Sequence, residues 1–170
     1  WKDHRIGPAA RSANQGLDVS ADDYVIEVVD SPLAIARLQW NELLSLQTAP
    51  TPFMRHEYLC AMHESGSATP QTGWTPRFVT LRQGSDRSAA LQGVCALYLK
   101  DHSYGEYVFD HAWAHAYRQH AVPYYPKALV APPFTPVPGS RLLARDDRSR
   151  HALVQGLIRW CEQNGLSSLH

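Results

Sequence analysis

A predicted pair of antiparallel strands in the middle of the chain constrains the fold more than any other feature. Residues 77–82 alternate apolar and polar side chains, and residues 89–100 form a longer, mostly apolar run. Gly84 and Asp86 lie between the two runs and favour a hairpin turn. Gly93, inside the second run, predicts a bulge or a close approach by another part of the backbone.

Further strands and helices are predicted on both sides of this hairpin. Strands are expected at residues 24–29, 127–131, 141–144 and from 166 onwards, and helices at 33–46, 53–65, 107–118 and 148–163. Asp146 or Asp147 is expected to cap the last helix. This order predicts an α/β layer architecture, with the hairpin in the middle and a helical crossover near the end.

Composition excludes several classes of protein. The 170 residues carry 16 basic and 16 acidic side chains, so there is no strongly basic surface of the kind that DNA requires, although a local basic patch for RNA stays possible. No apolar run reaches the ~20 residues of a membrane span, and the first residues lack a signal pattern. Cys60, Cys95 and Cys161 lie in apolar segments, which predicts buried, reduced thiols in a cytoplasmic protein. Cys95 as a nucleophile is the alternative.

The two ends of the chain differ from the middle. Residues 1–23 are polar and without a period, which predicts a flexible leader before a folded unit at 24–170. The sequence begins with Trp1 and stops inside a strand-like segment. Both features suggest a fragment, a processed chain or an incomplete sequence.

Residues 97–138 mix aromatic side chains with ionisable groups and prolines. A core segment would be more aliphatic, and a plain loop would be richer in Ser, Gly and Asp. The mixture suits a partly solvated concave surface, where rings supply contact area and polar groups orient a ligand. An aromatic packing layer between sheet and helices is the alternative interpretation, because spacing alone does not separate the two.

Carboxylates and a histidine in this stretch are candidates for proton transfer. Glu106 and Asp110 are one helical turn apart, and two carboxylates facing a cleft can divide into acid and base roles. They can equally cap a helix or pair with Arg118 and Lys127. Lys100 and His102 stand at the end of a predicted strand, where α/β proteins place polar site groups, and His102 is a candidate general base.

Metal and phosphate sites receive little support. His111 and His115 would face the same way on a helix, but their surroundings lack the spacing of a dedicated metal motif, so we predict no metal site. The loop at Gly139 has a single glycine and is followed by Asp146 and Asp147, which would repel an anion. The sequence therefore gives a poor signal for a phosphate or coenzyme A loop.

Four unusual blocks carry a family resemblance: HSYGEYVFD at 102–110, YYPK at 124–127, PFTPV at 133–137 and GSRLL at 139–143. They resemble a bacterial family of predicted N-acyltransferases related to the FemAB peptidoglycan-bridge enzymes and the GNAT superfamily. The similarity extends from about Tyr24 to His170. It implies an α/β, GNAT-like fold with a mixed, largely antiparallel sheet flanked by helices. It also implies that this chain is the N-terminal half of a two-half protein.

The same resemblance implies transfer of an acyl or aminoacyl group to an amine on a cell-wall precursor or another small molecule. Acyl-CoA or aminoacyl-tRNA would be the co-substrate, and no tightly bound cofactor is expected. We expect catalytic roles for Glu106, Asp110 and His102, and substrate contacts from Lys100, Tyr104, Tyr107, Tyr125 and Lys127. Glu106 or Asp110 would be the base, and Lys127 would hold a carboxylate or phosphate. The alternative is a non-catalytic binding or scaffolding half, inactive alone.

Overall fold

A computed structural model describes residues 17–19, 24–106 and 109–170. Within these ranges, six strands form one sheet in which every strand pair is antiparallel. The strands are β1 (Leu17–Val19), β2 (Tyr24–Val29), β3 (Thr75–Gln83), β4 (Leu91–Lys100), β5 (Lys127–Val130) and β6 (Leu143–Ala144). Their order is β1-β2-β3-β4-β5, and β6 pairs with β4 as well. β1 lies within the predicted leader, and the other residues of 1–23 are outside the described ranges.

Helices cover both faces of the sheet. They are α1 (Arg37–Ser45), α2 (His56–Glu64), α3 (His111–Gln119) and α4 (Asp147–Gln163). Side chains alternate along β4, so Cys95 and Leu97 pack with α4, whereas Val94, Ala96 and Tyr98 pack with α1 and α2. The predicted α/β class, with a largely antiparallel sheet flanked by helices, is confirmed. That the fold is GNAT-like stays a prediction.

The predicted central hairpin is present and contains the predicted bulge. Leu81 pairs with Gly93 and Arg82 pairs with Leu91, which leaves Gln92 as an extra residue in β4. Gly84 adopts the left-handed conformation, with φ of 72°, in the connecting turn. The central strands were therefore predictable from alternation and turn residues.

The helix predicted at residues 33–46 is divided in two. The Ser31 side chain accepts a hydrogen bond from the backbone N–H of Leu33, at 3.2 Å, and caps a 3₁₀ turn at Pro32–Ala34. The chain is then extended at Ile35, which is buried, before α1 begins. The apolar spacing did not reveal this break, because the residues on both sides pack into one core. The segment at 53–65 is divided in the same way, by a 3₁₀ turn at Pro52–Met54.

All three cysteines are buried and free. Cys95 is fully inaccessible, and burial raises the pKa of its thiol far above the usual range. Since the thiolate is the nucleophilic form, this position does not suit a nucleophile. None of the helices in the described ranges has the length and hydrophobicity that crossing a bilayer requires.

The ends of β4 and β5 position the candidate site. Lys100, the last residue of β4, is paired with Lys127, the first residue of β5. On the outer edge of β5, residues 168–170 run parallel to the strand: the backbone N–H of Ala128 donates to the Ser168 carbonyl, at 2.9 Å, and that of His170 donates to the Ala128 carbonyl, at 2.9 Å. The strand predicted from residue 166 is thus present as a short parallel bridge.

Candidate functional site

An open cleft of about 510 Å³ lies beside the paired ends of β4 and β5. Its apolar walls come from the loop before β3, from α3 and the residues just before it, and from β5 and the loop after it. They include Trp74, Phe109, Trp113, Leu129, Pro132 and Phe134. Its charged lining groups are Glu106, Asp110 and Lys127. The volume lies within the range of about 300–1,000 Å³ that small-molecule sites occupy. The stretch at 97–138 therefore does contribute to a concave, ring-lined surface.

Lys127 is the centre of the charged floor of the cleft. Its side chain is 2% exposed, and its Nζ donates to Glu106 Oε2, at 2.7 Å, and to Asp110 Oδ2. Burial by itself would lower the pKa of this ammonium, but the hydrogen bonds to Asp110 and Glu106 outweigh it and raise the pKa above its ordinary value. Lys127 is therefore a permanently charged clamp on two carboxylates.

Asp110 has no oxygen left without a donor. Besides Lys127, the Tyr124 hydroxyl donates to Oδ2, at 2.7 Å, and the Tyr125 hydroxyl donates to Oδ1, at 2.9 Å. Burial acts to raise the pKa of Asp110, but the hydrogen bonds from Lys127, Tyr124 and Tyr125 hold it well below the usual range. Burial and the Asp110 carboxylate, in turn, raise the pKa of Tyr124. Asp110 is a stable anion and a weak proton acceptor.

Glu106 differs from Asp110 in one respect that bears on chemistry. Its Oε1 is buried and, among the described residues, has no hydrogen-bond partner, while Oε2 is held by Lys127. The side chain lines the cleft and is 10% exposed. A buried carboxylate oxygen without a donor is energetically costly. Glu106 is therefore the group of the cleft that is best placed to accept a hydrogen bond from a ligand.

Lys100 lies behind the cleft rather than in it. It is fully buried, its Nζ donates to the Tyr104 carbonyl, at 2.9 Å, and the same atom lies 3.9 Å from the centre of the Trp74 ring. Burial lowers its pKa to about 8, although the nearby Glu106 acts in the opposite direction. The contact with Tyr104 ties the loop that carries Glu106 to the end of β4.

The structure separates the predicted site residues into two groups. Glu106, Asp110 and Lys127 meet in the cleft, and the Tyr125 hydroxyl reaches them. His102 and Tyr104 line a second cavity instead, of about 460 Å³, together with Tyr125. His102 accepts a hydrogen bond from the Tyr104 backbone N–H, at 3.2 Å, and lies 3.5 Å from Asp101. Tyr107 is outside the described residues.

The candidate metal pair, His111 and His115, also lines the second cavity. The His111 ring stacks on Phe109, and His115 Nε2 accepts a hydrogen bond from the side-chain amide of Gln119, at 3.0 Å. Within the described ranges, no cluster of three or more His, Cys, Asp or Glu side chains is arranged to hold a metal.

Sequence reasoning missed three contributors to the cleft. Trp74 supplies a wall and a buried indole N–H that has no partner among the described residues. Tyr124 and His170 extend the network, with 3.3 Å between the Tyr124 hydroxyl and His170 Nε2. Trp74 could have been found from the hairpin, because extending its strand pairing places Trp74 opposite Lys100. No comparable signal identified His170.

Comparison with known protein families identifies a match over most of the chain. A protein-family model, FemAB-like, described as peptidoglycan biosynthesis/recognition, matches residues 31–170. Neither the curated proteins nor the solved structures gave a significant match. The matched region includes every residue of the cleft named above, and it confirms the resemblance that the sequence blocks predicted. The chain belongs to the FemAB-like family.

Proposed function

We propose that this protein, as part of its full-length form, transfers an acyl or aminoacyl group to an amine of a cell-wall precursor. Membership of a family related to peptidoglycan supports the substrate class. The observation that carries the proposal is Glu106 Oε1, a buried oxygen of a carboxylate that lines the cleft, which has no partner in the described part of the chain.

Charge and aromatic content favour an alkylammonium as the ligand. The described lining residues carry two carboxylates and one ammonium, so this part of the cleft has an excess of one negative charge. Trp74, Phe109 and Trp113 surround it with ring surfaces that attract a cation. An amine at the end of an apolar stem would satisfy Glu106 Oε1 and cover the rings together.

The proposed reaction uses Glu106 as the proton acceptor. Glu106 takes a proton from the ammonium, and the neutral amine attacks the carbonyl carbon of the donor, forming the new C–N bond. The ester or thioester bond of the donor breaks, and the leaving oxygen or sulfur departs with the electron pair of that bond. The leaving atom takes up the second proton, which the attacking nitrogen loses as the amide forms. Lys127 keeps Glu106 oriented. We assign the base to Glu106 because Asp110 is fully bonded and His102 lines the other cavity.

The proposed donor is an acyl-CoA or an aminoacyl-tRNA, in keeping with the family resemblance. Both are cytoplasmic molecules, so the proposal places the reaction in the cytoplasm. In this scheme Lys127 orients Glu106 and does not bind the substrate itself. A carboxylate or phosphate of the substrate would be held by groups outside the cleft floor.

The test is the variant Glu106→Gln in the full-length protein. Turnover of a radiolabelled acyl-CoA or aminoacyl-tRNA with a peptidoglycan precursor should fall by about 10²–10⁴-fold, the contribution of a general base. Glu64→Gln makes the same chemical change at an exposed site on α2 and should leave turnover intact. Full activity of Glu106→Gln would remove Glu106 from the mechanism.

A second candidate function is recognition of peptidoglycan without catalysis. It is favoured by the exposure of the rings around the cleft, since Trp113 is 65% and Phe109 is 55% exposed. Exposed rings beside a polar floor suit binding as well as chemistry. Saturable binding of a peptidoglycan precursor, together with no product from either donor, would favour this function over transfer.

A further inference from the structure

The second cavity differs from the cleft in its charge. Three of its lining side chains, His111, His115 and Arg118, follow α3 at helical spacing and therefore face one side. His102 lines the cavity from the loop after β4. No carboxylate is among the described lining residues, so every lining group that carries a full charge near neutral pH carries a positive one. The charge of this lining is therefore opposite in sign to that of the cleft on the other side of α3.

The basic side chains of this cavity have N–H groups that can donate hydrogen bonds to a ligand. Arg118 is exposed and contacts no carboxylate in the described part of the chain. The amide of Gln119 donates to His115 Nε2, which leaves Nδ1 as the protonated, donating nitrogen of a neutral ring. His111 stacks face to face on Phe109, with 5° between the ring planes, and neither of its ring nitrogens has a hydrogen-bond partner among the described residues.

The nearest negative charges are already bound. Asp110 precedes His111 in the chain, but the Tyr125 hydroxyl donates to its Oδ1 and Lys127 pairs with its Oδ2. Asp101 lies 3.5 Å from the His102 ring, and it forms no pair with Arg118 within the described ranges. The positive potential of the α3 side is therefore not cancelled by its immediate neighbours.

An apolar cavity of about 380 Å³ adjoins the basic one. It shares Ala114, Arg118 and Tyr125 with it and is otherwise lined by Ala121, Val122, Pro123 and Tyr124. Arg118 is the one charged group among the lining residues that the structure describes. The two cavities together offer basic donors at one end and an apolar surface at the other.

We propose that these two cavities form a binding site for an organic phosphate. The phosphoryl group lies against Arg118, His111 and His115, and the organic group lies against Val122 and Pro123. A phosphoryl group has three acceptor oxygens for these three basic side chains, whereas a carboxylate has two, and the planar guanidinium matches phosphate geometry. The site is separate from the cleft and does not depend on the transfer reaction.

Titration calorimetry with phenyl phosphate tests this site in the full chain. Wild type should bind one equivalent, and Arg118→Gln should weaken the Kd by about tenfold or more, since a charge-assisted bond is lost. Arg37→Gln removes the same charge from α1 and should leave the Kd unchanged. Glu106→Gln should also leave it within about twofold, which separates this site from the cleft and its proposed chemistry.

Inorganic phosphate and the variant Val122→Asn test the proposed contact between the organic group of the ligand and the apolar cavity. Inorganic phosphate should bind more weakly than phenyl phosphate, and Val122→Asn should weaken phenyl phosphate binding alone. If Arg118→Gln and Arg37→Gln lost the same affinity for phenyl phosphate, the proposed site would be overturned. The same holds if binding to wild type did not saturate at millimolar phenyl phosphate. Equal affinities for both probes would overturn its assignment to an organic phosphate.

Discussion

Lys100 of β4 and Lys127 of β5 are paired across the sheet and point to the same face, but their ammonium groups have opposite surroundings. Lys127 donates to two carboxylates, whereas Lys100 donates to a backbone carbonyl and lies over an indole ring. The pKa of Lys127 is accordingly raised, and that of Lys100 is lowered to about 8. Two identical side chains in equivalent positions therefore have different roles.

The first prediction concerns the stability of this pair. Lys127→Met leaves Glu106 and Asp110 with uncompensated charge, so we expect a loss of about 3 kcal/mol, as for breaking a buried ion pair. Lys100→Met removes a buried charge whose Nζ has no carboxylate bonded to it among the described residues, so its cost should be about 1 kcal/mol. Urea unfolding at pH 7 measures both. Equal losses would contradict the different roles assigned to the two lysines.

The second prediction is a pH dependence that belongs to Lys100. The folded state holds its pKa near 8, while the unfolded chain keeps the ordinary, higher value. Between these two values the unfolded state binds more protons, so the contribution of Lys100 to stability rises with pH. The free energy of unfolding of wild type, minus that of Lys100→Met, should increase from pH 7 to pH 10. A constant difference would show that Lys100 is not perturbed.

The third prediction concerns Tyr124 and Asp110. Asp110 has a depressed pKa in the folded state, so its stabilisation is present above the unfolded value of about 4 and is lost as the pH falls further. Tyr124→Phe removes one of its donors and should cost about 1 kcal/mol at pH 7. The difference from wild type should shrink towards pH 2.

Tyr58→Phe is the matched control for that measurement. The Tyr58 hydroxyl donates to the Pro133 carbonyl, at 3.0 Å, which does not titrate. Its loss should therefore cost a similar free energy that stays constant between pH 7 and pH 2. Parallel behaviour of the two variants would mean that Tyr124 does not act through the Asp110 carboxylate.

The fourth prediction uses Gly105, in the loop that carries Glu106. Its φ is 81°, and an added Cβ would lie 2.7 Å from Phe134 Cε1 and 2.9 Å from Trp74 Nε1. Gly66 has φ of 74°, but nothing lies within 4 Å of an added Cβ there. Gly66→Ala should therefore cost about 1 kcal/mol for the backbone alone. Gly105→Ala should cost more, and should also weaken binding of an amine in the cleft. Equal costs in thermal unfolding would contradict the close contact of Gly105 with the two rings.

Much of the sheet and part of the site were predictable from sequence. Alternation and turn residues identified β3 and β4, and the ends of β4 and β5 were expected to carry Lys100 and Lys127. The grouping of Glu106 and Asp110 also followed from their spacing, although the structure joins them through Lys127 rather than through a shared helix face. These features depend on neighbours close in sequence or on strand pairing.

The remaining features depend on the path of the chain through space. His102 and Glu106 are four residues apart, yet they line different cavities because α3 passes between the two sites. Gly139 illustrates the same limit: an added Cβ would lie 2.3 Å from Thr51 Cγ2, so this glycine permits a close contact between loops. Neither spacing nor residue type conveys such long-range contacts.

The short parallel bridge at residues 168–170 has a mechanical consequence. Through it, the segment that leaves α4 is attached by backbone hydrogen bonds to Ala128, the residue next to Lys127. A displacement of that segment along the strand would move the first residues of β5 and alter the distance between Lys127 and its two carboxylates. The distances from Lys127 to Glu106 and Asp110 should therefore change when α4 moves.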